Sequence, residues 1–318
     1  LKKENLKNLS KNNKFIEKIC EIYPKSYEEI LNFHKTKMLI TFRFTAKSTN
    51  RKSILEELEN SGYKFKESSI KNSYILLESL QPLSMSKAFT DGYIHIQQLS
   101  SMIPAMILDP KSGEKVLDLC AAPGSKTSQM YDLSKGKSEI IANEVNKKRI
   151  YKLQDVLETQ GIDNIEIINY DGVTLPFKRP DFNNYFDKIL LDAPCTNEAG
   201  IDLNSPDSLK YWKEGNASKL SKIQKGLMNS AIKMLKLGGT LVYSTCTYSV
   251  EENELVLDWI LKRYPTLEIS KLKIQIPNSI EGKTEYRGKW INDKIKNAMR
   301  IVPNEYFEAF FVAKIIKH

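Results

Sequence analysis

The chain has 318 residues, 41% of them hydrophobic, and a formal net charge of +9. That is enough for a full catalytic core and one smaller domain, and no apolar run reaches the roughly 20 residues that a membrane-crossing helix needs. None of the four cysteines forms a Cys-x-x-Cys pair and the three histidines are scattered, which speaks against a zinc site or disulfide framework and for a reduced, cytoplasmic setting without a metal.

Residues 1–105 hold 17 Lys/Arg against 11 Asp/Glu, and residues 106–318 hold 31 against 28. A basic first third suits a polyanionic partner, although a solvated Lys-rich surface gives the same count. Residues 1–24 read as a basic lead-in, frayed or helical. Lys37–Ser48, "KMLITFRFTAKS", has strand character. Asn50–Gly62 follows with Ile54, Leu55 and Leu58 at helical spacing and a glycine stop. "YKFKES" and "NSYILLES" supply two more short strands. Together these predict a small α/β unit within residues 25–105.

From about residue 95 the pattern changes. Ile96–Leu108 reads as a helix interrupted near Pro104. The runs "KVLDLCA", "SEIIANEV", "IEIINYD", "FDKILLDAP" and "GGTLVYSTCT" then alternate with amphipathic stretches over residues 106–318. Continuous apolar runs followed by helices predict a parallel sheet covered on both faces. "FEAFFVAKII" follows a long irregular segment and is expected antiparallel, at or near the edge. The fold class is α/β and doubly wound, with ligands at the C-terminal ends of the strands.

Those ends carry the chemistry. In "LDLCAAPGSKT" (Leu117–Thr127) the small residues Ala121, Ala122, Gly124 and Ser125 let the backbone approach a ligand. The turn is neither G-x-G-x-x-G nor a phosphate-cradling loop. Glu144 ends the second strand, where an acid can accept hydrogen bonds from a ribose diol. Asp171 ends the third and Asp192 the fourth. Three acids around one small-residue turn predict a nucleoside cofactor without pyrophosphate, and S-adenosylmethionine fits best. Cys195 follows the fourth strand and Cys246 ends the fifth. In such sheets these strands are neighbours, so two thiols converge on one pocket.

"LDLCAAPGSKT", "LLDAPCTNEAG" and "LVYSTCTYSVEENE" resemble the motifs of the Nol/Nop/Sun family of RNA cytosine-5 methyltransferases, a resemblance running from about residue 25 to the C-terminus. "ITFRFTAKS" is similar to the Arg-x-Asn-x-x-Lys segment of the family's N-terminal RNA-binding region. "GYIHIQQLSSMIP" and "RIVPNEYFEAFFVAK" resemble its Gln-x-x-Ser-Ser and closing segments. The resemblance implies a Rossmann-like class I methyltransferase sheet behind a small RNA-binding domain. It assigns Cys246 as the nucleophile at cytosine C6 and Cys195 as the residue aiding product release. Asp192 would hold the N3/N4 edge of the base, and Lys126 would contact the base and lower a thiol pKa. Cys120, Ala121, Ala122, Pro123, Gly124, Ser125, Lys126, Glu144, Arg149, Asp171 and Asp192 would form the cofactor site. The implied partner is rRNA or tRNA, with rRNA favoured, and the chain is expected to be a monomer.

The sequence departs from the family in four places. Pro194-Cys195 continues Thr196-Asn197-Glu198-Ala199-Gly200 where Ser-Gly-x-Gly is usual. Thr45 stands for Asn, Asn304 for His and Ala309 for Gly. Two other functions remain. A DNA cytosine-5 methyltransferase would use the Pro-Cys thiol for attack and leave Cys246 without a role. A non-catalytic RNA-binding assembly factor would bind RNA without methyl transfer.

Overall fold

The computed structural model describes residues 2–205 and 207–318; Leu1, the first residue of the expected lead-in, lies outside them. Two helices come first, α1 (Lys2–Ile22) and α2 (Tyr27–Phe33). The small unit follows: β1 (Thr41–Phe44), α3 (Arg51–Asn60), β2 (Lys64–Glu67), β3 (Ser73–Glu78), α4 (Lys87–Thr90) and β4 (Ile94–Ile96). Its sheet is antiparallel in the order β2-β3-β1-β4. Ile54 and Leu58, one turn apart on α3, pack onto Phe42, Phe44 and Leu76. The Asn50 side chain caps α3 by accepting from Ser53 N at 3.3 Å, which satisfies one of the donors a helix start leaves unpaired.

The larger sheet begins after α5 (Leu99–Leu108) with β5 (Lys115–Asp118), α6 (Ser125–Leu133), β6 (Glu139–Asn143), α7 (Lys147–Thr159), β7 (Glu166–Ile168), α8 (Leu175–Lys178) and β8 (Phe186–Asp192). It continues through α9 (Asn216–Met234), β9 (Leu235–Thr245), α10 (Glu254–Arg263), β10 (Glu268–Ser270), β11 (Ser279–Glu281), the β12–β13 hairpin (Glu285–Tyr286, Lys289–Trp290), β14 (Met299–Ile301) and β15 (Phe310–Ile316). The order is β11-β14-β15-β9-β8-β5-β6-β7, with β10 pairing β15. The five strands from β9 to β7 are parallel. Ile189, Leu190 and Leu191 in β8, and Leu241, Val242 and Tyr243 in β9, are fully buried. Consecutive side chains point to opposite faces of a strand, so both faces are covered, and each such side chain contributes about 1.5–3 kcal/mol.

The structure corrects one expectation and sharpens two. Of the two forms expected for the lead-in, frayed or helical, residues 2–22 take the helical one. Phe15, Ile19 and Ile22 form an apolar stripe on α1 that is 0–1% exposed within the core of the larger unit, and Phe15 meets Trp212 edge-on at 5.8 Å between centroids. Pro104 does not interrupt α5, which runs through it. Leu99, Met102, Ile103, Ala105 and Leu108 are all buried, and that packing outweighs the one backbone hydrogen bond a proline removes. β15 is antiparallel to β9 as expected and lies near the edge but not at it, with the three-residue strands β14 and β11 beyond it.

Arg43 joins the two units. It is 4% exposed. Its Nε donates to Gln97 Oε1 at 2.7 Å, its Nη2 to Ser125 O at 3.0 Å and Ser128 Oγ at 2.8 Å, and its Nη1 pairs with Asp132 on α6. With all three nitrogens engaged, Arg43 holds the small unit against α6 and has no donor left for RNA. Lys47, from the same segment, is exposed.

Candidate active site

The parallel strands end at a cleft of about 390 Å³ whose lining includes Cys120, Glu144, Asp171, Asp192, Cys195 and Cys246. Ala122 and Arg149 also line it. The register explains the convergence. Leu190 pairs with Asp118 and Asp192 with Ser244, so the ends of β5, β8 and β9 meet at one level and their next residues open into one space.

On the β5–β6 side, Gly124 precedes α6 with φ 108°. A Cβ there would come within 2.9 Å of Leu153 Cδ1, so only glycine lets the turn pack against α7. Ala121 N donates to Asn143 O at 2.9 Å. Glu144 is 2% exposed. Its Oε2 accepts from Ala122 N at 3.3 Å and its Oε1 from Asn146 N at 2.8 Å. Arg149 lies 3.4 Å from the same carboxylate and also donates to Ala122 O. Asp171 is exposed, and its Oδ1 accepts from Val173 N at 2.9 Å. Ser125 faces away from the cleft: its Oγ meets His95 Nε2 at 2.9 Å. Pro123 is exposed. Neither it, Ala121, Gly124, Ser125 nor Lys126 lines the cleft, so the turn contributes Cys120 and Ala122 directly and shapes the rest.

On the other side the two sulfurs lie 3.2 Å apart, both as free thiols. Asp192 Oδ2 accepts from Lys126 Nζ at 2.7 Å and Oδ1 from Ser244 Oγ at 2.7 Å. Lys126 Nζ also reaches Ser101 Oγ at 2.7 Å. Burial works against the Lys126 charge, but Asp192 outweighs it and the pKa is raised. The Cys246 thiol is pushed well above its ordinary value, first by its hydrogen bond with Cys195 and then by burial. Cys246 is itself among the groups that raise the Lys126 pKa, after Asp192, so ammonium and thiol attract each other, while the hydrogen bond with Cys195 and burial set the direction at Cys246. The Cys120 thiol is also raised, by burial first and then by Asp118 and Glu144.

Several residues at the site had no role assigned from sequence, Asn197 and Glu198 showing only as a departure from the family motif. Asn197 has φ 50° and its Oδ1 lies 3.2 Å from Cys246 Sγ. Glu198, 1% exposed, accepts from Lys18 Nζ at 2.7 Å, Trp212 Nε1 at 2.9 Å and Thr247 Oγ1 at 2.8 Å. Glu252 accepts from Thr196 N at 2.9 Å and from Gln224 Nε2 at 3.0 Å. The departure Thr196–Ala199 is thus held at two alternate residues, Thr196 by the buried Glu252 and Glu198 by Lys18, Trp212 and Thr247. Glu308, whose carboxyl burial pushes up to about 7 against the pull of Lys126, stands near the same cluster. Among the described residues no group of three or more His, Cys, Asp or Glu has a metal-binding arrangement.

The family model described as 16S rRNA methyltransferase RsmB/F matches residues 105–316. The ribosomal RNA small subunit methyltransferase F of Shigella dysenteriae serotype 1 is 36% identical over 244 residues, covering 76% of this chain and 48% of that protein. The human 28S rRNA (cytosine(4447)-C(5))-methyltransferase is 31% identical over 308 residues, covering 94% of this chain and 37% of that protein. The chain therefore spans about half the length, or less, of these curated relatives. Among solved structures, a methyltransferase homolog protein from Pyrococcus horikoshii superposes with a TM-score of 0.81 at 29% identity, covering 95% of this chain and 94% of that one. NSun6 from Pyrococcus horikoshii, crystallised with SFG, gives 0.80 at 23% identity, covers 95% and 97%, and supports the fold.

Proposed function

The chain belongs to the 16S rRNA methyltransferase RsmB/F family, and from that premise we propose that it methylates C5 of a cytidine in RNA, with S-adenosylmethionine as methyl donor and Cys246 as covalent nucleophile. The observation that carries this reading is the Cys195–Cys246 sulfur pair, 3.2 Å apart at the ends of adjacent strands, beside the Lys126–Asp192 pair. A DNA enzyme using the Pro-Cys thiol alone leaves Cys246 idle, and a non-catalytic RNA-binding factor needs neither thiol.

The cleft suits the donor. Glu144 and Asp171 stand at successive strand ends, and the small Cys120 and Ala122 leave room between them; a carboxylate at such a tip accepts from a ribose diol. S-adenosylmethionine, once bound, supplies the methyl group as a sulfonium electrophile. The chain's residues do the rest. Cys246 gives its proton to solvent and its thiolate sulfur adds to C6, which makes C5 nucleophilic. Asp192 accepts from the N4 amino group on the N3/N4 edge of the base, and Lys126 and Ser244 hold its carboxylate in place. After C5 is methylated a base takes the C5 proton, the C–H electron pair restores the 5,6 double bond, and the C6–sulfur bond breaks with its pair returning to Cys246. Cys195, in contact with the Cys246 sulfur, assists that release.

A cytosine stacked in a helix is out of reach, so the target is single-stranded, looped or flipped out. The substrates named for the relatives favour rRNA over tRNA. The same reading has the chain acting as a cytoplasmic monomer without a metal; no described helix is long and apolar enough to cross a membrane. Incubation of the protein with total RNA and labelled S-adenosylmethionine tests the activity. Label is expected on C5 of a defined rRNA cytidine, and RNA bound without label would favour the assembly-factor reading.

A further inference from the structure

A second depression, of about 510 Å³, continues from the cleft past Cys195 and Asn197 and ends against Ile201, Tyr211, Trp212 and Lys219. Its two aromatic residues are adjacent in sequence and opposite in disposition. Trp212 is turned inward, 7% exposed, with its indole N–H on Glu198. Tyr211 is turned outward and is 80% exposed. The backbone beneath it is tied down, since Asn216 Nδ2 donates to Tyr211 O at 3.2 Å and Lys11 Nζ to Lys210 O at 2.8 Å. The Lys210 ammonium lies 5.9 Å from the Tyr211 ring centroid. Lys219 is exposed and lines the same depression, and Lys213, two residues after Tyr211, is exposed as well. The acids of that stretch are Asp207 and Glu214, and Glu214 is engaged by Lys14 at 3.5 Å.

Exposure alone does not single out Tyr211. Phe177, 70% exposed, is covered by Lys233 at 4.5 Å. Tyr211 differs because it borders a depression that shares two walls with the catalytic cleft. An exposed ring beside cations, reached through the position of the target base, matches what single-stranded RNA recognition requires: a face for a base to stack on and positive charge for its phosphate. A cavity of this size falls in the range that encloses a small ligand.

We propose that this depression is the subsite for the nucleotide adjoining the target cytidine, with that base stacked on Tyr211 and its phosphate met by Lys219. The proposal rests on the activity argued above and adds to it where the strand runs on leaving the thiols. Stacking on a tyrosine has a characteristic size: its removal weakens RNA binding roughly 5- to 150-fold.

The test uses the RNA fragment that carries the mapped cytidine, with affinity read by fluorescence anisotropy and turnover by label transfer. Tyr211→Ala is expected to raise Kd and KM for RNA by that factor, with kcat at saturating RNA and S-adenosylmethionine affinity unchanged. Tyr211→Phe keeps the ring and is expected within about twofold of the unaltered protein. An abasic residue at the neighbouring position in the RNA should weaken binding to the unaltered protein and add little in Tyr211→Ala. Equal affinity of Tyr211→Ala and the unaltered protein, or an abasic effect undiminished in Tyr211→Ala, overturns the subsite while leaving the activity standing. Failure of the unaltered protein to transfer label overturns the activity itself, and the two results are read from separate channels.

Discussion

Glu198→Gln tests whether the loop after Cys195 is held by a helix from the far end of the chain. Glu198 is 1% exposed and receives Lys18, Trp212 and Thr247. The glutamine keeps one carbonyl oxygen for Lys18 and Trp212, and the Thr247 hydroxyl can turn to accept from the new amide. What disappears is the negative charge facing Lys18, whose side chain is only 12% exposed. Removing one partner of a fully buried pair costs about 3–5 kcal/mol. The residual water contact of Lys18 lowers that to about 2–3 kcal/mol, a fall in Tm of about 5 °C for a chain this long. Thermal melts of Glu198→Gln, Lys18→Met and the double variant measure it. The double variant should recover more than half of the summed losses, since it leaves no unpaired charge. A Tm for Glu198→Gln within about 1 °C of the unaltered protein, or strictly additive losses, would refute the reasoning.

Lys126→Met removes the cation from Asp192 and leaves it only Ser244; kcat should fall about 10²–10³-fold with KM for RNA within about twofold, checked by steady-state label transfer. Asp118 is held up to about 7 by burial, well above the 3.8 of a free carboxyl. The folded chain therefore keeps a proton that the unfolded chain releases, and this contribution is fully present below pH 3.8 and lost as pH rises through 7. Its full size is on the order of 4 kcal/mol. Asp118→Asn should flatten that part of the stability profile, as read from urea melts at about pH 5 and pH 8. Gly124→Ala forces a side chain into a φ of 108° against Leu153; a loss of Tm with weakened cofactor binding is expected from thermal melts with and without S-adenosylmethionine.

The parallel strands were legible because both faces are buried, which turns the usual alternation into unbroken apolar runs such as Ile189–Leu191. The acids and thiols at their tips followed from the strand order. What stayed hidden depends on contacts distant in sequence. Glu198 reads as a loop acid until Lys18 arrives from 180 residues away. Arg43 sits in a segment that resembles one of an RNA-binding region, and only the fold shows it buried against α6. α1 did show its stripe of Phe15, Ile19 and Ile22, but the surrounding lysines and asparagines masked it. β10, β11 and β14 are three residues each, too short for any periodicity to emerge. Asn197 was visible only as a departure, and its place beside the Cys246 sulfur depends on a left-handed backbone that sequence alone does not specify.

The assignment of the two thiols is tested most directly by the protein–RNA species that survives denaturation after incubation with S-adenosylmethionine. Cys195→Ala should accumulate a covalent adduct whose mass equals protein plus methylated RNA fragment, and Cys195→Ala/Cys246→Ala should form none. An adduct formed by Cys246→Ala through Cys195 would contradict the account.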